Sequence, residues 1–227
     1  MAKPQKGFNQ IIAEKYDDWY ESSFGKCISE LEDRLMLDLL RPEPGQTLLD
    51  VGCGTGRHLL LFKNLGLSPT GVDPSPLMLE KAKKRIDEKS LALLSDETGL
   101  PFADKSFDLS IIFLVLEFCR NPVKLLKEAE RVTTGKIFIG LLNRNSFLAL
   151  HRRVKGLFKK SVYNKAKFYS LSQLEKILDN SFKFKSFNWK GVIFLPWINL
   201  KFWKRLDSKF SFIKNPLCAF VGVIIEL

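Results

Sequence analysis

The segment 48–56 of this 227-residue chain reads Leu-Leu-Asp-Val-Gly-Cys-Gly-Thr-Gly, an apolar run followed by alternate glycines. The spacing of apolar residues predicts a helix directly after it, over 58–65. Glycine lets the backbone turn sharply and lets a ligand approach it closely. In an open α/β sheet, such a loop lies at the carboxyl end of a strand, where ligands bind. The segment therefore predicts an α/β fold with a ligand-binding loop.

Strands and helices alternate along the rest of the chain. Strands are predicted at 47–51, 69–72, 91–94, 107–114, 136–142 and 218–226. Helices are predicted at 10–40, 58–65, 75–88, 122–132 and 172–179. This alternation predicts a mostly parallel sheet with helices on both faces.

The length is that of a single domain. We expect an N-terminal helical cap (8–40), a ligand-binding core (46–142), a basic aromatic insertion (143–214) and a terminal strand (217–227). Hydrophobic residues make up 45% of the chain, which excludes a disordered protein. The chain has no apolar run of about 18 residues, and its N-terminus lacks the apolar core of a signal peptide. The spacing of the four cysteines fits neither a disulfide framework nor a metal site, so we expect a cytoplasmic protein.

Three carboxylates follow three successive predicted strands. Asp50 precedes the glycine loop, Asp73 ends the second strand and Asp96 follows the third. Asp50 suits a cationic amino group, and a carboxylate at the position of Asp73 can accept both ribose hydroxyls. Asp96 could accept a hydrogen bond from an adenine amino group. S-Adenosylmethionine meets all three requirements.

The glycine loop departs from the Gly-x-Gly-x-x-Gly dinucleotide fingerprint. Its third glycine comes one residue early, and Arg57 stands where the fingerprint has glycine. Asp50 would also repel a pyrophosphate. A plain nucleotide-binding turn is the alternative interpretation of this loop.

Further motifs occur in a fixed order over residues 48–142. They include Gly71-Val72-Asp73-Pro74-Ser75, Leu100-Pro101-Phe102, Ser106-Phe107-Asp108 and Arg131-Val132. In this respect the chain resembles the class I S-adenosylmethionine-dependent methyltransferases, and most of all the ubiquinone/menaquinone methyltransferase group. Tyr16-Asp17-x-Trp19-Tyr20 is similar to the cap helix of that family. The resemblance implies a Rossmann-like sheet of seven strands, with the last strand antiparallel.

The resemblance also implies roles for single residues in binding the cofactor, S-adenosylmethionine. Asp50 would lie near the methionine amino group and Asp73 on the ribose. The other expected cofactor-binding residues are Tyr20, Gly52, Cys53, Gly54, Gly56, Pro74, Met78, Asp96, Glu97 and Leu114. The chain departs from the family at Thr133-Thr134-Gly135, where Pro-Gly-Gly is usual. We expect this departure to affect the geometry of a turn and not the activity.

The acceptor is predicted from the segment after the fourth strand, which reads Phe113-Leu-Val-Leu-Glu117. Amino-methylating nucleic-acid enzymes usually carry an Asn-Pro-Pro-Tyr-type motif at this position. An apolar segment favours a small molecule that is apolar, quinone-like or lipid-like. No residue is marked as a catalytic base. Glu117 could face the substrate, but an exposed loop carboxylate is expected, and His58 is expected to be a packed or solvated residue.

The charge of the chain is uneven. The first 120 residues carry a net charge of −4 and the remainder +15, and most of the excess lies in the segment 143–214. Its aromatic residues interleave with lysines and arginines. Such a segment could contact an anionic membrane or an RNA, or its aromatics could pack onto the sheet while the lysines face water. An RNA methyltransferase and a non-catalytic cofactor-binding partner remain as alternatives to a small-molecule enzyme.

Overall fold

A computed structural model describes residues 17–94, 99–146, 148–149, 166–193 and 212–227. Within these ranges it contains a seven-stranded sheet of order β3-β2-β1-β4-β5-β7-β6. Neighbours among the first five strands are parallel, and β7 runs antiparallel to β5 and β6. The strands are β1 (Thr47–Val51), β2 (Ser68–Asp73), β3 (Leu91–Leu93), β4 (Phe107–Phe113), β5 (Thr133–Leu142), β6 (Ser186–Val192) and β7 (Phe220–Glu226). The predicted fold class is confirmed.

Helices cover both faces of this sheet. They are α1 (Ser23–Leu40), α2 (Arg57–Asn64), α3 (Pro76–Ala82), α4 (Pro122–Val132) and α5 (Leu171–Asp179). On one face, apolar residues of α1 and α2 form a core with the sheet, including Leu35, Met36 and Phe62. On the other face, α4 and α5 bury Leu126 and Leu174 against the sheet. The central strands are therefore covered on both sides, which is why they read as nearly continuous apolar runs.

The N-terminal helical region is interrupted. Residues 17–21 are helical, and a new helix begins at Ser23. The Ser22 side chain accepts a hydrogen bond from the Gly25 backbone N–H and so caps α1. The prediction of one helix over 10–40 is therefore wrong at Ser22, where the capping serine starts a second helix.

The turn expected at Thr133-Thr134-Gly135 is absent, because β5 begins at Thr133 directly after α4. The Thr133 hydroxyl lies 2.6 Å from the Ala129 carbonyl and 2.6 Å from the Ser110 hydroxyl. Its hydrogen bonds thus stabilise a buried junction between helix and strand at a position where the family usually has proline.

The strand β6 lies at one edge of the sheet and comes from the segment predicted as an insertion. Its alternation of exposed and half-buried residues gave no clear strand signal. Several aromatic residues of this segment pack against the core, namely Tyr169, Phe182, Phe184, Phe187 and Trp189. His151 and the aromatics Phe158, Tyr163, Trp197, Phe202 and Trp203 lie outside the described residues. For Tyr169, Phe182, Phe184, Phe187 and Trp189, packing onto the core is the observed role.

No helix in the described ranges is both long enough and apolar enough to cross a membrane.

Candidate functional site

The glycine loop follows β1 at the carboxyl edge of the sheet. The backbone N–H groups of Gly52 and Cys53 both donate to the Val72 carbonyl of β2, at 2.8 and 3.0 Å. Gly54 has a φ of +53°, and a Cβ added there would meet nothing within 4 Å. Its missing side chain therefore leaves open space above the loop, which is what close approach of a ligand requires.

Asp73, at the end of β2, is held by the loop itself. The Gly54 N–H donates to Oδ2 at 2.9 Å, and the Ser75 N–H donates to Oδ1 at 2.8 Å. Burial raises the pKa of this carboxyl, while the two backbone hydrogen bonds oppose the rise. A carboxylate has about four acceptor positions, so each oxygen keeps one for a ligand. Asp73 is thus fixed in place and still able to accept two hydroxyl groups.

Asp50 is buried in the last part of β1, and its Oδ2 has no hydrogen-bond partner among the described residues. Burial, with repulsion from Asp73, raises the pKa of Asp50 to about 8. A buried carboxylate without a partner is unfavourable unless a cation compensates it. Asp50 and Asp73 together therefore form an acidic site in which a bound cation would stabilise the ionised form of Asp50.

Arg57 begins α2 and makes no hydrogen bond to Asp50, but its charge lowers the pKa of Asp50 and so partly opposes the effect of burial. Its guanidinium forms two hydrogen bonds with the Asp33 carboxylate of α1 and lies 4.8 Å from the centre of the Tyr20 ring. His58 is buried beside it, with Nε2 3.2 Å from Asp33. Burial, together with Arg57, lowers the pKa of His58, and the histidine packs against the Phe113 ring. The expectation that His58 is a packed residue agrees with this position.

A small apolar cavity of about 50 Å³ opens beside the glycine loop. Its lining comes from the ends of β1, β2, β3 and β4 and from α4: Val51, Gly52, Pro74, Leu94, Val115, Phe118, Cys119 and Leu125. A cavity of this volume accepts only a few atoms, so a nucleotide-sized ligand would extend from it over the loop. Of these residues, Gly52 and Pro74 were predicted to bind the cofactor, and Val115 belongs to the apolar segment predicted to face the acceptor. The others look like ordinary core residues in the sequence.

The remaining predicted residues lie around this region but differ in their contacts. Met78 is buried in α3, and its backbone N–H donates a hydrogen bond to the Ser75 hydroxyl, which caps this helix. Leu114 has a φ of +56° and packs towards the α1 face of the sheet. Burial, with repulsion from Asp50 and Asp73, raises the pKa of the Cys53 thiol, so Cys53 acts as a small packed residue. Asp96 and Glu97 lie outside the described residues, and their roles stay predictions.

Glu117 is buried, so the expectation of an exposed loop carboxylate is wrong. Only 2% of the residue is exposed. Its Oε1 accepts a hydrogen bond from the Leu142 N–H at 2.6 Å. Burial raises the pKa of this carboxyl to about 7, although the hydrogen bond from Leu142 opposes the rise. The pairing partner belongs to β5, which explains why the local sequence did not reveal the burial.

Asp17 connects the N-terminal helical residues to the glycine loop. Its Oδ1 accepts from the Thr55 hydroxyl at 2.9 Å, and its carboxylate lies 3.3 Å from Lys81 Nζ and 3.4 Å from an Arg85 nitrogen. Arg85 also donates to the Thr55 carbonyl at 2.7 Å. Asp17 is therefore a positioning residue for the loop. The sequence showed it only as part of a family motif.

Replacing Asp17 by Ala should weaken the binding of S-adenosylhomocysteine about three- to tenfold, because half-exposed ion pairs contribute about 0.2–1 kcal/mol each. The affinity is measured by calorimetric titration. Asp18→Ala is the matched control, since Asp18 is exposed and takes no part in these contacts. Equal affinities in the two variants would contradict the positioning role.

Comparison with known proteins agrees with this geometry. Residues 49–139 match the family model of a methyltransferase domain. An uncharacterised protein of Methanocaldococcus jannaschii is 38% identical over 73% of this chain and 76% of its own length. A demethylmenaquinone methyltransferase of Renibacterium salmoninarum is 36% identical over 50% of this chain, and the match spans 48% of that enzyme. A solved S-adenosylmethionine-dependent methyltransferase of Thermotoga maritima, described as a possible histamine N-methyltransferase, is 25% identical and covers 95% of this chain and 96% of its own, with a TM-score of 0.69.

The sheet order, the glycine loop and the two strand-end carboxylates define a class I methyltransferase. The chain belongs to the S-adenosylmethionine-dependent methyltransferase family. The residues present fit that cofactor. Asp50 offers an unpaired buried oxygen for its ammonium group, Asp73 offers acceptors for its ribose, and Gly54 leaves room for its approach.

Proposed function

We propose that the chain transfers a methyl group to a small apolar acceptor of the quinone-like or lipid-like kind. The observation that carries this proposal is the segment after β4. Val115, Phe118 and Cys119 line the cavity there, and the segment lacks the polar motif that nucleic-acid amino methylation usually needs. An apolar acceptor can lie against such a surface without leaving polar groups unpaired.

One of the relatives supports the same class of acceptor. The demethylmenaquinone methyltransferase that matches this chain acts, by its name, on a quinone. Since the match covers about half of that enzyme, the shared part is chiefly the cofactor-binding core. We extend only the kind of acceptor, and not the particular compound, to this chain.

The contribution of the protein to catalysis is mainly positional. S-Adenosylmethionine supplies a methyl group that is already activated by the sulfonium. Asp50 and Asp73 hold the cofactor, the glycine loop lets it approach, and the apolar residues after β4 exclude water. Holding two reactants in a productive orientation contributes up to about 7–11 kcal/mol.

The proposal is tested by incubating the full chain with S-adenosylmethionine and a demethylated short-chain naphthoquinol in detergent, with total RNA as the competing substrate. Mass spectrometry of the products is expected to show a methylated quinol and unmodified RNA. Methylated RNA with unmodified quinol would contradict it. Cofactor binding without any transfer would favour the non-catalytic alternative.

A matched pair of glycine variants shows whether transfer depends on the loop. Gly54→Ala and Gly45→Ala both introduce backbone strain, of about 1–2 kcal/mol, because both glycines have positive φ and open surroundings. Only Gly54 faces the cofactor site. We expect Gly54→Ala to weaken S-adenosylhomocysteine binding at least tenfold and Gly45→Ala to leave it unchanged. An equal loss of S-adenosylhomocysteine affinity in both variants would mean that backbone strain alone, and not the position of Gly54, weakens binding.

A further inference from the structure

Two buried side chains near the cavity each have a polar atom with no hydrogen-bond partner in the described part of the chain. These atoms are Oε2 of Glu117 and the hydroxyl of Tyr169. Glu117 is 2% exposed and Tyr169 is 1% exposed. Native structures seldom leave buried polar groups unsatisfied without a functional reason. Neither residue is used in binding the cofactor as described above.

Both side chains belong to one junction at the carboxyl edge of the sheet. The Glu117 carbonyl accepts from the Lys167 N–H at 2.8 Å, and its Oε1 accepts from Leu142 at the end of β5. Tyr169 pairs with Asn143 in an isolated parallel bridge, and its carbonyl accepts from the Arg144 N–H at 2.9 Å. The turn after β4, the end of β5 and the segment 167–169 are therefore joined at one junction, and this junction carries both Glu117 and Tyr169.

This junction lies next to the cofactor site. Val115, Phe118 and Cys119 flank Glu117 in sequence and line the cavity together with Gly52 of the glycine loop. A Cβ on Gly52 would come within 2.4 Å of the Val115 side chain, so the turn that carries Glu117 packs directly on the loop. A group that binds at this turn is thus close to the ligand that the loop holds.

We propose that Glu117 and Tyr169 form the polar end of the acceptor site and bind a hydroxyl or amine of the acceptor, with Glu117 as the base that receives its proton. Glu117 accepts the hydrogen bond, and the Tyr169 hydroxyl donates to the same oxygen or nitrogen. This inference rests on the proposed function and narrows it to an apolar acceptor that carries one such donor group.

The proton and electrons balance with no further reactant. The acceptor oxygen or nitrogen uses a lone pair to form its bond to the methyl carbon, and its proton passes to Glu117 Oε2. The electron pair of the broken carbon–sulfur bond stays on sulfur, which leaves as a neutral thioether. Glu117 later returns the proton to water.

The surroundings allow this carboxyl to change charge near neutral pH. The titratable and charged residues at the junction are Tyr169, Cys119, Arg144 and Lys167, and the Lys167 Nζ lies 5.3 Å from the centre of the Tyr169 ring. Burial raises the pKa of Glu117 to about 7, and it raises that of Tyr169 as well, with Cys119 and Glu117 adding to the effect. Tyr169 therefore stays protonated as a donor, while Glu117 becomes an acceptor as the pH rises through about 7.

Binding of two small probes tests the proposal without any methyl transfer. Phenol carries a donor hydroxyl, and toluene has nearly the same shape without one. Their dissociation constants are measured by NMR titration of the full chain saturated with S-adenosylhomocysteine, between pH 5.5 and 8.5. We expect phenol to bind at least tenfold more tightly than toluene above pH 7, since hydrogen bonds to charged groups are the stronger ones. The ratio of phenol affinity to toluene affinity should decrease as the pH falls through about 7.

Two conservative variants separate this role from a structural one. Glu117→Gln keeps an oxygen for Leu142 but cannot ionise, so it should lower phenol affinity about tenfold, remove the pH dependence and leave toluene binding unchanged. Tyr169→Phe removes only the unpaired hydroxyl and should lower phenol affinity without lowering the melting temperature. Equal binding of phenol and toluene by the wild type, or an unchanged pH profile in Glu117→Gln, would overturn the proposal. Neither result would contradict the proposed function, which is methyl transfer to an apolar acceptor.

Discussion

Replacing Asp73 by Ala is expected to weaken the binding of S-adenosylmethionine and S-adenosylhomocysteine at least 100-fold. The variant loses the acceptors for two ribose hydroxyls, and hydrogen bonds to a charged group contribute about 1.5–3 kcal/mol each. It also frees the Gly54 and Ser75 N–H groups that Asp73 holds at 2.9 and 2.8 Å, so the loop loses its support. Calorimetric titration measures the affinity. The affinity of Asp73→Asn, which keeps one acceptor oxygen, should lie between that of the wild type and that of Asp73→Ala.

Asp108→Ala is the matched control for this change. Asp108 is also a strand carboxylate with two hydrogen bonds, from the backbone N–H and the hydroxyl of Thr47, both at 2.8 Å. These bonds lower the pKa of Asp108, and they join the starts of β1 and β4 at the edge opposite the cofactor site. The control should lower the free energy of unfolding by about 1–2 kcal/mol and leave cofactor affinity unchanged. Wild-type affinity in Asp73→Ala would refute the ribose assignment.

Asp50→Asn is expected to act in opposite directions on stability and on binding. The variant should bind S-adenosylhomocysteine about 10- to 100-fold more weakly, because the ammonium group loses a charged acceptor. Without ligand, it should be more stable than the wild type by about 1–2 kcal/mol at pH 8 and above, since it no longer buries an ionised carboxylate. A stabilising change that impairs binding is typical of a functional residue.

The pH dependence of this stability difference follows from the pKa of Asp50. In the folded chain that pKa is about 8, raised from 3.8, so the folded state binds more protons than the unfolded state between these values. Stability of the wild type therefore falls as the pH rises through this range. The gap between Asp50→Asn and the wild type should widen from pH 5 to pH 8 in thermal unfolding curves. A gap that is independent of pH would show that Asp50 is ionised throughout.

Most of the sheet could be predicted, and the reason is visible in β4. All but one of its seven residues are buried, and a run buried on both faces is apolar whatever its neighbours are. The strand β6 was missed because only its last two residues are buried. Its place in the sheet depends on pairing with β7, about 35 residues further along the chain.

The residues of the site also fall into those that the sequence predicted and those that it did not. Asp50, Asp73 and the glycines were predicted because each stands at the end of an apolar strand, where local order alone places it at the carboxyl edge. Of the apolar wall, Val115 lies in the segment predicted to face the acceptor, but Leu94 and Phe118 were not predicted. A pocket residue and a core residue look alike in a sequence until their neighbours are known.

The sequence by itself determined the fold class, the cofactor and the position of the glycine loop, because these follow from short segments whose conformation their own residues dictate. Only the tertiary structure decided that Glu117 is buried against Leu142, 25 residues away, and that Asp17 supports Thr55, 38 residues away. Burial and charge compensation depend on which distant segments pack together. Local patterns carry no record of that packing, and the proposed acceptor end of the site depends on it.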